Sequence, residues 1–137
     1  METPIAQERR EVRILREHLP DAILKVKEWR DDTFICVKKD SIRDVMKLLK
    51  EHPELDYAYF CECLGVDYST WPHERDLEGR FEVVYNLMTL TDYSRIYIKL
   101  AVNEGETVPT VRDIYVGAEY PEREIQDLYG VMFEGNE

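Results

Sequence analysis

Residues 108–133, VPTVRDIYVGAEYPEREIQDLYGVMF, contain the signals from which the rest of the chain can be read. Pro121 suits the first position of a helix, because its missing N–H needs no partner there. Gly130 suits the position after the last turn, where a positive φ is favoured. Two glutamates fall in the first turn, beside the positive end of the helix dipole. The sequence therefore predicts a short helix over residues 121–129.

The predicted helix places its apolar and charged side chains on opposite sides. At about 100° per residue, the apolar arc consists of Ile125, Leu128 and Tyr129, and the ionic arc of Arg123, Glu124 and Asp127. Carboxylates within one turn of an arginine can orient one another, so we expect Glu124 and Asp127 to lie in an ionic network. In the isolated chain these two carboxylates should be exposed or paired with Arg123. We also expect the apolar arc to pack on a sheet and the ionic arc to face a partner protein. Two alternatives remain, a solvated surface and an acid–base pair formed by the helix carboxylates.

Composition and charge narrow the range of functions. The chain has 137 residues, of which 44% are hydrophobic and 11% aromatic, so we expect one globular domain with its own core. Its net charge of −11 argues against nucleic acid and anionic lipid as partners. No apolar run approaches the roughly 18 residues that a membrane span needs. The first residues contain no apolar signal-peptide region, so we do not expect secretion by that route.

Apolar residues at helical spacing predict two helices in the first half of the chain. The first starts at Thr3-Pro4, a favourable cap and first-turn pair, and ends at Pro20. The second follows the cap residues Asp40-Ser41 and stops before Pro53. Its apolar side chains recur at i, i+3, i+4 and i+7, so one side of this helix should face the core.

Five segments have the alternation or composition of β-strands. They are residues 22–29, 33–38, 56–66, 80–90 and 95–102. The polar turn between the first two segments and the tight turn between the last two each predict an antiparallel hairpin. In the last two segments alternate side chains should share one buried face. The residues expected there are Phe81, Val83, Tyr85, Ile96, Ile98 and Leu100.

The order of predicted elements indicates the fold class. It is α-β-β-α-β-β-β-α-α, with a short helix that starts at Thr110 before the helix at 121–129. It contains no regular alternation of strands and helices, which would indicate a parallel sheet. We therefore assign residues 1–137 to the α+β class, as a single domain with a mostly antiparallel sheet and helices packed on it.

The cysteines and histidines offer one possible metal site. Cys61, Cys63 and His73 could supply three ligands, but structural zinc sites use four and usually contain a Cys-x₂₋₄-Cys pair. The Cys-x-Cys spacing instead suits neighbouring positions on one strand face, so we expect buried thiols. His18 and His52 fall near helix C-termini, where a cation is favoured. The sequence has no glycine-rich phosphate loop, nucleophile motif or iron–sulfur cysteine cluster.

Four segments of the chain together carry a resemblance to a known family. They are GVDY at 65–68, RFEVVYNL at 80–87, the strand bearing Lys99 followed by VPTV at 108–111, and ERExxDLYGVxFxGN at 122–136. The last, here named the signature segment, is similar to ERExxDhhGhxFxG(H/N)P, where h is apolar. That pattern is typical of the C subunit of proton-pumping NADH:quinone oxidoreductase, the respiratory complex I. Gln126 stands where the family often has an aromatic residue, and Glu137 where proline is expected.

The resemblance implies a scaffold subunit without catalytic residues or a cofactor of its own. Such a subunit docks on the large quinone-site, hydrogenase-like subunit and contacts a ferredoxin-like iron–sulfur subunit, supporting electron transfer from NADH through iron–sulfur clusters to quinone. The iron–sulfur clusters, flavin and NADH would belong to partner subunits, in a peripheral arm on the cytoplasmic side of the inner membrane. The residues implied at the partner interface are Glu122, Arg123, Glu124, Asp127, Tyr129, Gly130 and Phe133.

Two alternative functions stay open. Related subunits occur in energy-converting hydrogenases, formate hydrogenlyase and deazaflavin-dependent dehydrogenases, and they share the signature. The match at residues 80–87 favours the NADH or quinone branch. The alternative of another class is a free-standing small enzyme or metal binder that uses the carboxylates or the cysteines.

Overall fold

A computed structural model describes residues 9–70 and 77–136. The helices are α1 (Arg10–His18), α2 (Ile42–Glu51) and α3 (Glu119–Tyr129), with 3₁₀ turns at Lys39–Ser41 and Val116–Ala118. The strands are β1 (Ile23–Trp29), β2 (Asp32–Val37), β3 (Tyr59–Asp67), β4 (Phe81–Met88), β5 (Arg95–Val102), β6 (Thr107–Pro109) and β7 (Met132–Glu134). The order of strands in the main sheet is β1-β2-β5-β4-β3. Among the described strands of this sheet only β2 and β5 pair in parallel, so the predicted α+β class with a mostly antiparallel sheet is confirmed.

The hairpin of β4 and β5 forms the centre of the core. Val83 pairs with Leu100 and Tyr85 with Ile98, and all four side chains are fully buried. The other residues expected on this face, Phe81 and Ile96, are also buried, which confirms the prediction. Since successive side chains alternate between the two faces of a strand, one register sets the whole buried face.

The helices α1 and α2 contribute further side chains to the same core. The predicted stripe of α2 is fully buried at Ile42, Val45, Met46 and Leu49, and the helix ends before Pro53 as expected. Instead of a side-chain cap at Asp40-Ser41, a 3₁₀ turn leads into α2, and Ser41 makes no capping hydrogen bond. The predicted start of the first helix, Thr3-Pro4, lies outside the described residues. In the structure α1 begins at Arg10, after an extended Arg9.

The segment after β5 departs from the prediction. No helix starts at Thr110, whose N–H bonds to the carbonyl oxygen of Glu134 over 2.9 Å. A single turn follows instead, closed by the N–H of Tyr115 on the carbonyl of Val111. Strands β6 and β7, which were not predicted, pair in parallel as a separate two-stranded sheet. With three residues each, they are too short to show a recognisable alternation.

The helix α3 begins at Glu119, two residues before the predicted start. The 3₁₀ turn at Val116–Ala118 runs directly into it, so Pro121 becomes the third helical residue. Its ring is still tolerated there, because the N–H groups of the first turn have no partners within the helix. At the other end Gly130 has φ 75° and its N–H bonds to the carbonyl of Gln126 over 2.8 Å, which confirms the predicted glycine cap.

Candidate partner interface on the C-terminal helix

The inner side of α3 contains a carboxylate in the protein interior. Glu122 is completely buried, and its carboxylate accepts hydrogen bonds from the hydroxyl of Thr110, the N–H of Val111 at 3.0 Å and Nδ2 of Asn136 at 2.9 Å. Three donors offset the loss of water around a buried carboxylate, which would otherwise be costly. Glu122 therefore holds three separated pieces of chain together.

The helix packs on β3 where that strand has no side chain. A Cβ placed on Gly65 would lie 2.9 Å from Cε2 of Tyr129 and 3.1 Å from Cγ2 of Ile125. The ring centroids of Tyr129 and Phe81 are 6.0 Å apart. Gly65 thus gives α3 room for a close approach to the sheet.

The prediction that Leu128 packs on the sheet is wrong, since the side chain is 73% exposed. The predicted burial of Ile125 is confirmed, and Tyr129 is half-buried against the core. The inward side of the helix also includes Glu122, which the predicted arc did not contain. The three hydrogen bonds of that residue and the space over Gly65 turn the helix so that Leu128 faces outward.

The end of the signature segment returns to the body of the protein. After Gly130 the chain enters β7, where Phe133 is buried and pairs with Val108 of β6. Asn136 is also buried, and its Nδ2 donates to the carbonyl oxygen of Glu119 over 3.1 Å. These contacts fix the direction of α3 at both of its ends.

The outer side of α3 holds the residues predicted to form an ionic network. Arg123, Glu124 and Asp127 are all exposed, but the guanidinium of Arg123 turns to Oδ1 of Asn136 at 3.3 Å and to Oε1 of Glu119 at 3.5 Å. Glu124 and Asp127 form no ion pair with any residue that the structure describes. Of the two arrangements expected in the isolated chain, the structure shows exposed carboxylates rather than carboxylates paired with Arg123, because Glu119 and Asn136 bind the arginine.

Large apolar side chains are also exposed on α3 and in the turn before it. Tyr120 and Leu128 are each 73% exposed, and Val116, in the 3₁₀ turn before the helix, is 84% exposed. With Glu124 they recur at every fourth position, so they follow one side of the helix. We name Val116, Tyr120, Glu124 and Leu128 the outer ridge. Val116 and Tyr120 were not among the predicted interface residues, although their spacing from Glu124 was visible in the sequence.

A second ion pair fixes the segment that carries Thr110. Both terminal guanidinium nitrogens of Arg43, on α2, bond to the carboxylate of Asp113 at 2.6 and 2.7 Å. This hydrogen bonding lowers the pKa of Asp113 to about 2. Nη1 of Arg43 also donates to the carbonyl oxygen of Thr110 at 2.6 Å, so α2 positions the residue that binds Glu122.

The neighbouring cysteines of β3 divide into one buried and one exposed thiol. Cys63 is buried as predicted, and desolvation raises its pKa well above the ordinary value. Cys61 is exposed, because the pairing of β3 with β4 shifts register between Phe60 and Glu62 and breaks the alternation. The predicted burial of Cys61 is therefore wrong. His73 lies outside the described residues, and within the described part of the chain no three His, Cys, Asp or Glu side chains could hold a metal ion.

His18 and His52 stand at the C-terminal ends of α1 and α2, as predicted. Their ring centroids are 5.6 Å apart in an edge-to-face arrangement. Nδ1 of His52 accepts a hydrogen bond from the N–H of Glu54 over 3.1 Å, so this ring helps to close the helix end.

The fold and this site define a class of protein. It is a small α+β domain in which one side of a helix is exposed and partly apolar, while buried residues on the other side fix the position of the helix. The chain belongs to the family of the 30 kDa subunit of respiratory-chain NADH dehydrogenase, whose family model matches residues 35–137. No helix within residues 9–70 and 77–136 has the length and apolar character needed to cross a membrane.

Individual relatives agree with the family. The chain is 41% identical to the C subunit of the NADH-quinone oxidoreductase of Roseiflexus sp. (strain RS-1), over 89% of this chain and 67% of the relative. It is 39% identical to the equivalent subunit of Erythrobacter litoralis, over 86% of this chain and 44% of the relative. A solved structure described as Nqo5 of a trypsin-resistant fragment (1-134) is 27% identical, with a TM-score of 0.77, over 94% of this chain and 98% of that one.

Proposed function

We propose that this chain is a cofactor-free scaffold subunit in the peripheral arm of an NADH-quinone oxidoreductase, on the cytoplasmic side of the membrane. It docks on the large quinone-site subunit, contacts a ferredoxin-like iron–sulfur subunit and supports electron transfer from NADH to quinone. Iron–sulfur clusters, flavin and NADH belong to the partner subunits in this proposal. Family membership supports it, since the names of the relatives describe one subunit of such an oxidoreductase.

The docking role is supported by one observation: the signature segment contains buried residues and, on the outer side of α3, exposed ones. Glu122, Phe133 and Asn136 are buried and hold the fold, whereas Glu124 and Asp127 are exposed. A solvated surface would account for two exposed carboxylates alone. It does not account for the large apolar side chains of Val116, Tyr120 and Leu128, which are also exposed on this side and are typical of protein interfaces.

The same geometry gives little support to acid–base catalysis by the helix carboxylates. Such a pair needs both groups within reach of one substrate, with the pKa values pushed apart. Glu122 is occupied in the interior by three donors, and Glu124 is exposed on the other side of the helix. The arrangement therefore favours binding over catalysis.

Affinity purification of the tagged chain from its native cells tests the proposal. We expect the quinone-site and ferredoxin-like subunits to copurify, and the complex to reduce quinone with NADH. Recovery with a hydrogenase large subunit, without NADH activity, would instead identify the equivalent subunit of an energy-converting hydrogenase or formate hydrogenlyase. Recovery of the chain alone would contradict the docking role.

Metal analysis of the purified chain tests the alternative of a metal binder. We expect no stoichiometric zinc or iron, because the exposed Cys61 and the buried Cys63 do not present their thiols to one site. Stoichiometric metal that is lost in both Cys61→Ser and Cys63→Ser would establish the metal binder instead.

A further inference from the structure

The outer ridge is more apolar than a solvated helix side needs to be. Three of its four side chains, Val116, Tyr120 and Leu128, are large and apolar and are between 73% and 84% exposed. Leaving such side chains in water forgoes the favourable free energy that their burial would contribute. Exposed apolar side chains that share one side of a helix in this way are typical of surfaces that bind another molecule.

The ridge is not required for the fold of this chain. The packing of α3 on the sheet is provided by Ile125 and Tyr129 at Gly65, and its ends are fixed through Glu122 and Asn136. The helix has a rise of about 1.5 Å per residue, so the ridge from Tyr120 to Leu128 extends over about 12 Å. A rigid element therefore presents the ridge at a fixed angle, which lowers the entropic cost of binding.

Charge determines what kind of surface can cover the ridge. Glu124 lies between Tyr120 and Leu128, Asp127 lies beside it, and neither forms an ion pair with a described residue. Covering an unpaired carboxylate with apolar surface is strongly unfavourable, so the covering surface must supply a cation. Residues 104–137 contain 9 acidic and 2 basic side chains, so this end of the chain attracts a basic surface.

We propose that the outer ridge inserts into an apolar groove of the large quinone-site subunit, where an arginine or lysine pairs with Glu124. This inference rests on the proposed function and adds the chemistry of the partner's surface. Tyr120 and Leu128 contribute most of the affinity as apolar anchors, and Glu124 fixes the register. A second copy of this chain is a poor occupant, because it would bring the carboxylates of two ridges together.

Binding of purified variants to the isolated large subunit tests this inference. Tyr120→Ala and Leu128→Ala should each weaken binding about tenfold or more, as anchor residues do. Leu90→Ala and Tyr93→Ala are matched controls, since these side chains are 57% and 72% exposed on the turn between β4 and β5, and they should leave the affinity unchanged. Glu124→Lys should weaken binding further than Glu124→Gln, because it places like charges opposite each other.

The outcomes separate this inference from the proposed function. If the unaltered chain does not bind the large subunit, the proposed function fails as well. If it binds, and the ridge variants bind as tightly as the two controls, only the ridge inference is overturned. Light scattering tests for the third outcome, a dimer of this chain. A dimer that Leu128→Ala dissociates would show that a second copy covers the ridge, and this result would also overturn the ridge inference.

Discussion

Nδ2 of Asn136 donates a hydrogen bond to Oε1 of Glu122 over 2.9 Å, so the first and last residues of the signature segment are in contact. Both side chains are buried, and the chain between them includes most of α3 and all of β7. The two ends of the segment are thus joined by a hydrogen bond, and its buried residues fix the position of its exposed residues. A signature that looks like one functional motif therefore contains two groups of residues with different roles.

Glu122→Gln should destabilise the domain by about 1–3 kcal/mol, the cost of a buried polar group with mismatched hydrogen bonds. The new amide would turn a donor toward a site that already contains three donors. Urea or thermal unfolding measures the change. Glu124→Gln, two positions away on the outer side, is the matched control and should stay within about 0.5 kcal/mol. Equal effects of the two substitutions would show that the buried carboxylate has no special role.

Gly65→Ala should also destabilise the domain, by about 1–3 kcal/mol, because an added methyl overpacks a filled contact. The new Cβ would lie 2.9 Å from Tyr129, so α3 or the tyrosine must move. Gly117→Ala is the control, since its Cβ would meet Phe60 at an ordinary 3.4 Å. Thermal melts of both variants check this, and an unchanged melting temperature for Gly65→Ala would mean that α3 does not approach the strand so closely.

Asp113→Asn should reveal a pH-dependent contribution from the ion pair with Arg43. The folded pKa of Asp113, about 2, lies below its ordinary value of 3.8, so the folded state favours the ionised form. The stabilisation is therefore complete above about pH 4 and is lost as the pH falls toward 2. Because the pair is partly exposed, we expect it to contribute less than about 1 kcal/mol.

Denaturant unfolding of the wild type and of Asp113→Asn, at a series of pH values, measures this contribution. The difference between their free energies of unfolding should be constant near neutral pH and should shrink toward zero near pH 2. A difference that grows on acidification would contradict the assignment of the pair.

Long periodic segments were predictable because one effect, the burial of apolar side chains, determines them. Two such patterns each mark one face that is buried away from water. They are the alternation of Phe81, Val83 and Tyr85 and the helical stripe of α2. Those signals are local and redundant, since several residues repeat the same information. They predicted the strand positions, the hairpins and the fold class without any knowledge of long-range contacts.

The departures arise where contacts between distant residues decide the outcome. Leu128 is exposed because Gly65 and the donors around Glu122 set the rotation of α3, and neither is visible in the helix sequence itself. Cys61 is exposed because one irregularity in β3 reverses the alternation. The glycine cap at Gly130, in contrast, was predictable, because it depends on backbone conformation at a single position.

Glu124→Ala and Asp127→Ala should leave the stability of the isolated chain within about 1 kcal/mol of wild type, as exposed positions do. The same changes should weaken assembly with the large subunit, because the partner's cation would then be covered without its carboxylate. Thermal melts of the lone chain measure the first effect, and pull-down of the large subunit measures the second. If the variants melt far lower yet assemble normally once folded, the two carboxylates stabilise the fold and the docking assignment is wrong. If neither melting nor assembly changes, the outer side of α3 is a solvated surface.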